Sequence, residues 1–130
     1  MPGRRRQLLI VDRDARLAGI YAGRFEAARW TVRVAGDVRD AAKLISKKVP
    51  DAALLDMDEV PGAVAFVREL KAASATSGIK VVALTRRGGR AAMRFTRDAG
   101  ADGHLVKGHV TASDVGETLE RLVVSGTQRM

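Results

Sequence analysis

The stretch Ala52-Ala53-Leu54-Leu55-Asp56 decides the fold, because it is a short, continuous apolar run that ends on a carboxylate. Strands buried on both faces have this pattern, which is typical of the centre of a parallel sheet. The last residue of such a run lies where the chain leaves the core for solvent. The sequence therefore predicts a buried strand with Asp56 at its carboxyl end.

Other strands end on polar residues in the same way. The runs are 8–11 ending on Asp12, 81–84 ending on Thr85, and 105–106 ending on Lys107. A fifth strand, 30–34, alternates apolar and polar residues, which favours the edge of a sheet. Amphipathic helices are predicted after each strand, with Asp14 as N-cap of the first and Thr111 with Asp114 as a capping box before the last. Five strands alternating with five helices predict an α/β fold with a doubly wound parallel sheet.

The predicted boundaries and inward faces follow from the same pattern. One domain is expected over residues 7–124, after a disordered basic lead-in at 1–6 and before a flexible tail at 125–130. Apolar residues at helical spacing mark the inner face of each helix. They are Leu17, Ile20, Tyr21, Phe25 and Ala28 in the first helix and Ala41, Leu44, Ile45 and Val49 in the second.

Composition excludes several classes of function. The 130 residues include no cysteine, which removes disulfides, zinc–thiolate sites and thiol catalysis. No apolar stretch approaches the roughly 20 residues that a membrane span needs, so we expect a cytoplasmic protein with no membrane partner. The net charge of +8 favours an acidic partner, but aromatic residues make up only 4% of the chain. Nucleic acid is therefore the weaker candidate partner, because nothing resembles a platform for stacking bases.

The polar strand ends are expected to meet. In a doubly wound sheet, ligands bind beyond the carboxyl ends of the strands, where the strand order reverses. If the order is 2-1-3-4-5, Asp12 and Asp56 flank the reversal, and Thr85 and Lys107 follow on the neighbouring strands. Each residue alone also has an ordinary explanation, as a turn former, a strand end or a solvated lysine. Four of them in register on alternating elements favour a site.

Phosphoryl transfer suits this set of side chains. Neighbouring carboxylates repel each other unless a cation lies between them, and magnesium prefers oxygen ligands of this kind. Lys107 would neutralise phosphate oxygens, Thr85 would offer a hydroxyl, and Asp56 would be a covalent nucleophile. Transfer onto Asp56 would then depend mainly on charge stabilisation and positioning.

The chain resembles the receiver domain of bacterial two-component response regulators. The stretches that carry the resemblance are 8–12, 50–56, 81–85 and 99–107. It implies the flavodoxin-like fold with strand order 2-1-3-4-5, and a phosphoryl group that Asp56 accepts from a sensor histidine kinase or a phosphotransfer protein. It also implies that Lys107 pairs with the phosphate, and that Thr85 and His104 are the switch residues. Magnesium would be held by Asp12, Asp56 and the backbone carbonyl of Asp58.

Three features depart from the family pattern. Arg13 follows Asp12 where the family has a second, metal-binding acid; it would fold back onto Asp12 or Asp56, replacing magnesium with a fixed charge, or point to solvent. Pro61 lies one residue later than usual after Asp56. In the same loop, the carboxylate of Asp58 either compensates partly for the missing acid or is solvated. Lastly, Lys107 is followed by residue 108, a glycine, so the family's cis peptide is not expected.

Three functions follow from these features. The first is a receiver domain that acts alone, has at most self-phosphorylation and dephosphorylation at Asp56 as catalysis, and signals through the face of the fourth helix, fifth strand and fifth helix. On this hypothesis an acidic downstream protein binds Arg87, Arg90, Arg94 and Arg97, and a homodimer is possible. The second is a phosphorylation-independent pseudo-receiver that binds proteins. The third, less favoured, is a basic nucleic-acid-binding module.

Overall fold

The predicted alternation of five strands and five helices is confirmed. The computed structural model describes residues 5–107 and 111–128. The strands are β1 Gln7–Val11, β2 Thr31–Ala35, β3 Ala52–Asp56, β4 Lys80–Thr85 and β5 Gly103–Val106. The helices are α1 Ala15–Ala27, α2 Val38–Lys47, α3 Ala63–Ala72, α4 Arg90–Ala99 and α5 Ala112–Gln128.

All the strand pairings are parallel, and the strand order is β2-β1-β3-β4-β5. The central strand is β3, whose Leu54 lies opposite Ile10 of β1 and Val82 of β4. The strand order reverses between β1 and β3, because β2 lies on one side of β1 and β3, β4 and β5 lie on the other, as predicted for a flavodoxin-like fold. The carboxyl ends of β1 and β3 are therefore neighbours, which positions the polar residues that follow them.

The central strand contributes to the core on both faces of the sheet. Alternate side chains of a strand point to opposite faces, so Leu55 packs in the cluster with α2 and α3, whereas Leu54 packs in the cluster with α1 and α5. Both leucines are almost fully buried. The apolar run of β3 thus fills two core layers, and this burial explains why it lacks the alternation seen in β2.

Some predicted inward residues are exposed. Ile20 is 56% exposed, and Ala28 is exposed, because the buried stripe of α1 consists of Ala18, Tyr21 and Phe25. Ile20 lies two residues after Ala18 and so turns about 200° away from it on the helix. Val49 is 45% exposed, because α2 ends before it, at Lys47. These three predictions were wrong.

The capping box before α5 is confirmed. The Thr111 N–H donates to Asp114 Oδ2 at 2.8 Å, and the Asp114 N–H donates to Thr111 Oγ1 at 3.1 Å. The helix continues to Gln128, into the segment where a flexible tail is predicted, and that flexibility stays a prediction. Residues 1–4 of the predicted lead-in and residues 129–130 of the predicted tail lie outside the described residues. No helix of the described residues is long and apolar enough to cross a membrane.

Candidate functional site

The four polar strand ends converge at the carboxyl edge of the sheet. The ladder continues beyond the strands, since the Asp12 N–H donates to Ala35 O at 3.0 Å and the Lys107 N–H donates to Thr85 O at 2.7 Å. Lys107 Nζ then lies 2.6 Å from Asp56 Oδ2 and 3.4 Å from Asp12 Oδ2. An ammonium group therefore lies between two carboxylates.

Asp56 is fully buried, although its position at the end of β3 predicted an exit to solvent. The loop 57–62 covers it: the Met57 N–H donates to Leu84 O at 2.9 Å, and loop residue 60, a valine, packs into the core. The N–H groups of Asp58 and Glu59 each donate to Asp56 Oδ1 at 3.0 Å. These two bonds fix the carboxylate so that Oδ2 faces Lys107.

Asp12 presents a buried oxygen that accepts no hydrogen bond. Its Oδ1 accepts from the Asp14 N–H at 2.9 Å, whereas its Oδ2 has only the Lys107 ammonium at 3.4 Å. A buried carboxylate oxygen without a donor suits a cation, and magnesium commonly takes one or two carboxylates and keeps several waters. Asp12 and Asp56 fit such an ion. A third acidic ligand is missing, since the described residues hold no group of three or more acids or histidines placed for a metal.

Asp58 is exposed, and its carboxylate does not join the acid pair. Its Oδ2 accepts from the backbone N–H of Arg86, and the Arg86 side chain forms an ion pair with Glu59. The loop after β3 is therefore attached to the loop after β4. Sequence reasoning missed this attachment, because it joins residues 28 positions apart through an ordinary backbone amide.

Lys107 is held in its charged form. Burial lowers the pKa of its ammonium, but the hydrogen bond to Asp56 and the charges of Asp12 and Asp56 raise it, and the net effect is a pKa above the ordinary 10.5. Tyr21 on α1 belongs to the same electrostatic neighbourhood. Burial raises the pKa of its phenol, the charge of Lys107 lowers it and that of Asp12 raises it, with a net rise. From the sequence, Tyr21 was predicted only as a core residue. Its hydroxyl, on an otherwise apolar face of the helix, was the one feature that could have indicated a place near the site.

Arg13 contacts the loop after β3 and not the acid pair. Its side chain is exposed, and its Nη1 donates a long hydrogen bond of 3.5 Å to Glu59 O. Among the ion pairs of the described part of the chain, none joins it to Asp12 or Asp56. The alternative in which Arg13 folds back onto the acid pair as a fixed counter-ion is therefore not observed. Arg13 is exposed, as in the other alternative, but it also contacts the Glu59 carbonyl.

Thr85 is engaged away from Asp56. Its hydroxyl donates to Arg87 O at 2.7 Å, and His104 Nε2 lies 2.5 Å from the same oxygen. Because a hydroxyl has a single proton, Nε2–H of His104 is the donor in the second contact. The two residues predicted as switch residues thus touch each other directly, and Arg87 contributes its backbone carbonyl.

The predicted partner-binding arginines lie on the surface. Arg90, Arg94 and Arg97 are exposed on the outer side of α4, which we call the α4 arginine face. The inner side of this helix is formed by Thr96 and Ala99. The helix also exposes 53% of Met93 and 51% of Phe95. Arg87, in the loop before α4, is exposed as well. The peptide bond between Lys107 and residue 108 lies outside the described residues.

Comparison with known proteins gives one family and one fold. The sequence model of the response regulator receiver domain matches residues 8–119. No curated protein sequence matches the chain. A CheY-like receiver domain protein from Methanospirillum hungatei JF-1 is 19% identical, with a TM-score of 0.86 over 98% of this chain and 100% of that chain. Chemotaxis response regulator CheY4 of Vibrio cholerae is 22% identical, with a TM-score of 0.83 over 92% and 99% of the two chains.

A third similar structure comes from a different kind of protein. The signal receiver domain of a signal transduction histidine kinase from Syntrophus aciditrophicus is 25% identical, with a TM-score of 0.80 over 95% of this chain and 93% of that chain. At such identities the likeness to solved structures is evidence for the fold, and each of these chains is spanned almost completely by this one.

Proposed function

The chain belongs to the response regulator receiver domain family, and on this premise we propose that it acts in cytoplasmic two-component signalling by accepting a phosphoryl group on Asp56. The observation that carries the proposal is the buried contact of 2.6 Å between Lys107 Nζ and Asp56 Oδ2, with Asp12 beside it. The donor would be a phosphohistidine of a sensor kinase or of a phosphotransfer protein.

The hydrogen bonds favour Asp56 Oδ2 as the attacking oxygen. The amides of Asp58 and Glu59 hold Oδ1, so Oδ2 is the oxygen left to form the new O–P bond. As that bond forms, the P–N bond to the donor imidazole breaks, and the imidazole nitrogen keeps the electron pair. Lys107 neutralises charge on the transferred group, which is the main requirement of phosphoryl transfer.

Magnesium would be held by Asp12, Asp56 and the backbone carbonyl of Asp58. When bound, it would supply positive charge to the phosphoryl oxygens. The chain's own contribution is the pair of buried carboxylate oxygens facing Lys107. Because only two acids face the ion, we expect weaker binding than a site with a third carboxylate would give.

Signalling would begin at Thr85. To reach a phosphoryl group on Asp56, its hydroxyl must leave Arg87 O and the His104 ring. That movement would release the backbone of the loop before α4 and change the surface of α4, β5 and α5. We propose that an acidic protein reads this surface by contacting Arg87 and the α4 arginine face, where Met93 and Phe95 supply exposed apolar area. A homodimer would use the same face.

A test of phosphorylation is direct. Incubation with acetyl phosphate and magnesium is expected to add the mass of one phosphoryl group. Asp56→Asn is expected to abolish the adduct, because an amide at this position is not a nucleophile for the phosphoryl group. Intact-protein mass spectrometry measures both. Asp40→Asn, which alters an exposed acid on α2, is the matched control and should keep the adduct. Absence of any adduct in the unaltered protein, with small-molecule donors and with kinases, would contradict the proposal.

A second candidate is the phosphorylation-independent pseudo-receiver. It is favoured by the complete engagement of the Asp56 carboxylate, whose two oxygens already accept from two amides and one ammonium. On this alternative, Asp56→Asn leaves partner binding unchanged and magnesium produces no shift in thermal stability. A magnesium-dependent rise in melting temperature that Asp12→Asn removes would exclude it.

The α4 arginine face predicts a charge-dependent interaction. Replacing Arg90, Arg94 and Arg97 with alanine is expected to weaken binding of a fluorescent glutamate-rich peptide by about tenfold at low ionic strength, and less at high salt. The matched control removes three exposed cations of α2, Arg39, Lys43 and Lys47. Equal losses in both triple variants, in a fluorescence anisotropy titration, would indicate general charge attraction only. A duplex DNA affinity that stays negligible even at low salt would remove the nucleic-acid alternative.

A further inference from the structure

We propose that Arg13 binds the phosphoryl group on Asp56 directly. It thereby supplies part of the positive charge that a magnesium ion, held by an acid at position 13, would otherwise provide. This inference rests on the proposed function, since it concerns the anion that Asp56 would carry. It assigns a phosphate-binding role to a residue that replaces an acid. Three observations support it: the guanidinium is exposed, the described residues give it one long hydrogen bond, and that bond goes to Glu59, whose N–H orients the Asp56 carboxylate.

Hydrogen bonds fix the backbone of Arg13 at the edge of the site. Asp12 Oδ1 accepts from the Asp14 N–H, and Asp14 Oδ1 accepts from the N–H groups of Arg16 and Leu17. These bonds fix the backbone on both sides of Arg13. Its side chain therefore starts from a defined point next to Asp12, and only the rotamers of the side chain itself remain to be chosen.

The side chain reaches the loop that covers the acceptor. Arg13 Nη1 reaches Glu59 O, and the N–H of the same Glu59 donates to Asp56 Oδ1 at 3.0 Å. The guanidinium thus contacts the very residue that orients the acceptor carboxylate. On this proposal, the guanidinium leaves the Glu59 carbonyl and binds the phosphoryl group on Asp56.

The guanidinium is available to bind an anion. An arginine carries five N–H donors in a planar fork that matches phosphate oxygens, and the described residues give Arg13 one bond at the limit of hydrogen-bonding distance. The neighbouring acids have other partners: Asp14 caps α1, Asp58 accepts from the Arg86 amide, and Glu59 pairs with Arg86. An arginine with a structural role would be expected to pair with one of them.

Charge balance favours the same conclusion. In the resting site, one ammonium on Lys107 faces two carboxylates. Phosphorylation converts the Asp56 carboxylate into an acyl phosphate, which removes the carboxylate charge but adds a group of about two negative charges. Lys107 alone then faces more negative charge than before, still next to Asp12. A second cation would balance this charge. Arg13 is part of the chain and is always present, whereas magnesium would be held by only two acids and would bind weakly.

The test compares phosphorylation rates of Arg13→Ala with those of the unaltered protein, using acetyl phosphate either with magnesium or with EDTA. We expect Arg13→Ala to lower the rate by about tenfold in EDTA, a loss typical of one charged hydrogen bond, and by less in magnesium. Arg13→Lys should retain an intermediate rate. Arg16→Ala is the matched control, because Arg16 is exposed on the first turn of α1, and no side-chain hydrogen bond or ion pair within the described residues joins it to the site.

A second readout does not depend on phosphorylation. Arg13→Asp restores an acid beside Asp12 and is expected to increase the magnesium-dependent rise in melting temperature, while abolishing adduct formation in EDTA. If Arg13→Ala and Arg16→Ala form the adduct equally fast in both media, the inference is overturned and the proposed function stands. If no variant forms an adduct on Asp56 in either medium, both are overturned.

Discussion

Replacing Lys107 with methionine is expected to lower the free energy of unfolding by about 3–5 kcal/mol, the usual cost of removing one partner from a buried ionic group. Asp56 has no exposed side-chain surface and Asp12 has 1%, so neither carboxylate could turn to water when the ammonium is lost. Two like charges would remain together in the core. Urea denaturation monitored by circular dichroism measures the loss.

The cause of that loss can be isolated with a second substitution. Asp12→Asn in the Lys107→Met background removes one of the two unpaired charges and is expected to recover part of the stability, whereas Asp12→Asn alone is not stabilising. Lys43→Met, at an exposed position on α2, controls for the loss of a lysine. A Lys107→Met variant as stable as this control would show that the buried contact contributes nothing.

The same contact has a defined dependence on pH. The pKa of Lys107 is raised in the folded protein above its ordinary 10.5. A raised lysine pKa means that the stabilisation is complete below the unfolded-state value and is lost as the pH rises through the folded-state value. The stability difference between the unaltered protein and Lys107→Met should therefore be constant from about pH 6 to pH 9 and shrink only above the ordinary lysine value.

Leu54→Ala is expected to destabilise the fold by about 2–5 kcal/mol, as typical of a leucine removed from a close-packed core. Leu54 has no exposed surface and lies on the central strand, in the core layer shared with α1 and α5. Neighbours on both adjacent strands hold the backbone in place, so the cavity cannot close easily. The midpoint of urea denaturation should fall without a change in its slope.

Ile20→Ala is the matched control for this substitution. Ile20 is 56% exposed on α1, although its spacing predicted burial, and a surface substitution usually changes stability by about 0.5 kcal/mol or less. A loss at Ile20 as large as that at Leu54 would mean that Ile20 packs against something that the folded monomer does not show. A negligible loss at Leu54 would contradict the two-layer core.

Most of the fold could be predicted from the sequence, because it depends on patterns within single segments. The apolar run of 52–55, the Asp14 cap and the Thr111–Asp114 box are local features whose consequences are fixed within a few residues. The parallel sheet follows from the alternation of such segments. The error at Ile20 arose where two neighbouring apolar positions competed for one inner face, since only packing against the sheet decides which of them is buried.

The sequence was enough to predict which residues form the site, but not which side chains and backbone groups they contact. Strand ends identify Asp12, Asp56, Thr85 and Lys107, because parallel strands bring their carboxyl ends to one edge. The partners of Arg13, Asp58 and Thr85 lie on other loops, at Glu59, Arg86 and His104. Such choices depend on how loops from distant parts of the chain pack together.

The sequence by itself thus determined the doubly wound sheet and the set of charged residues at its carboxyl edge, since both follow from the order and endings of the strands. Only the tertiary structure decided that Asp56 is buried beneath its own loop, that Lys107 lies between two acids, and that Arg13 leaves that pair for the Glu59 carbonyl. The physical reason is that burial and side-chain pairing depend on the relative positions of several loops, which no single segment encodes.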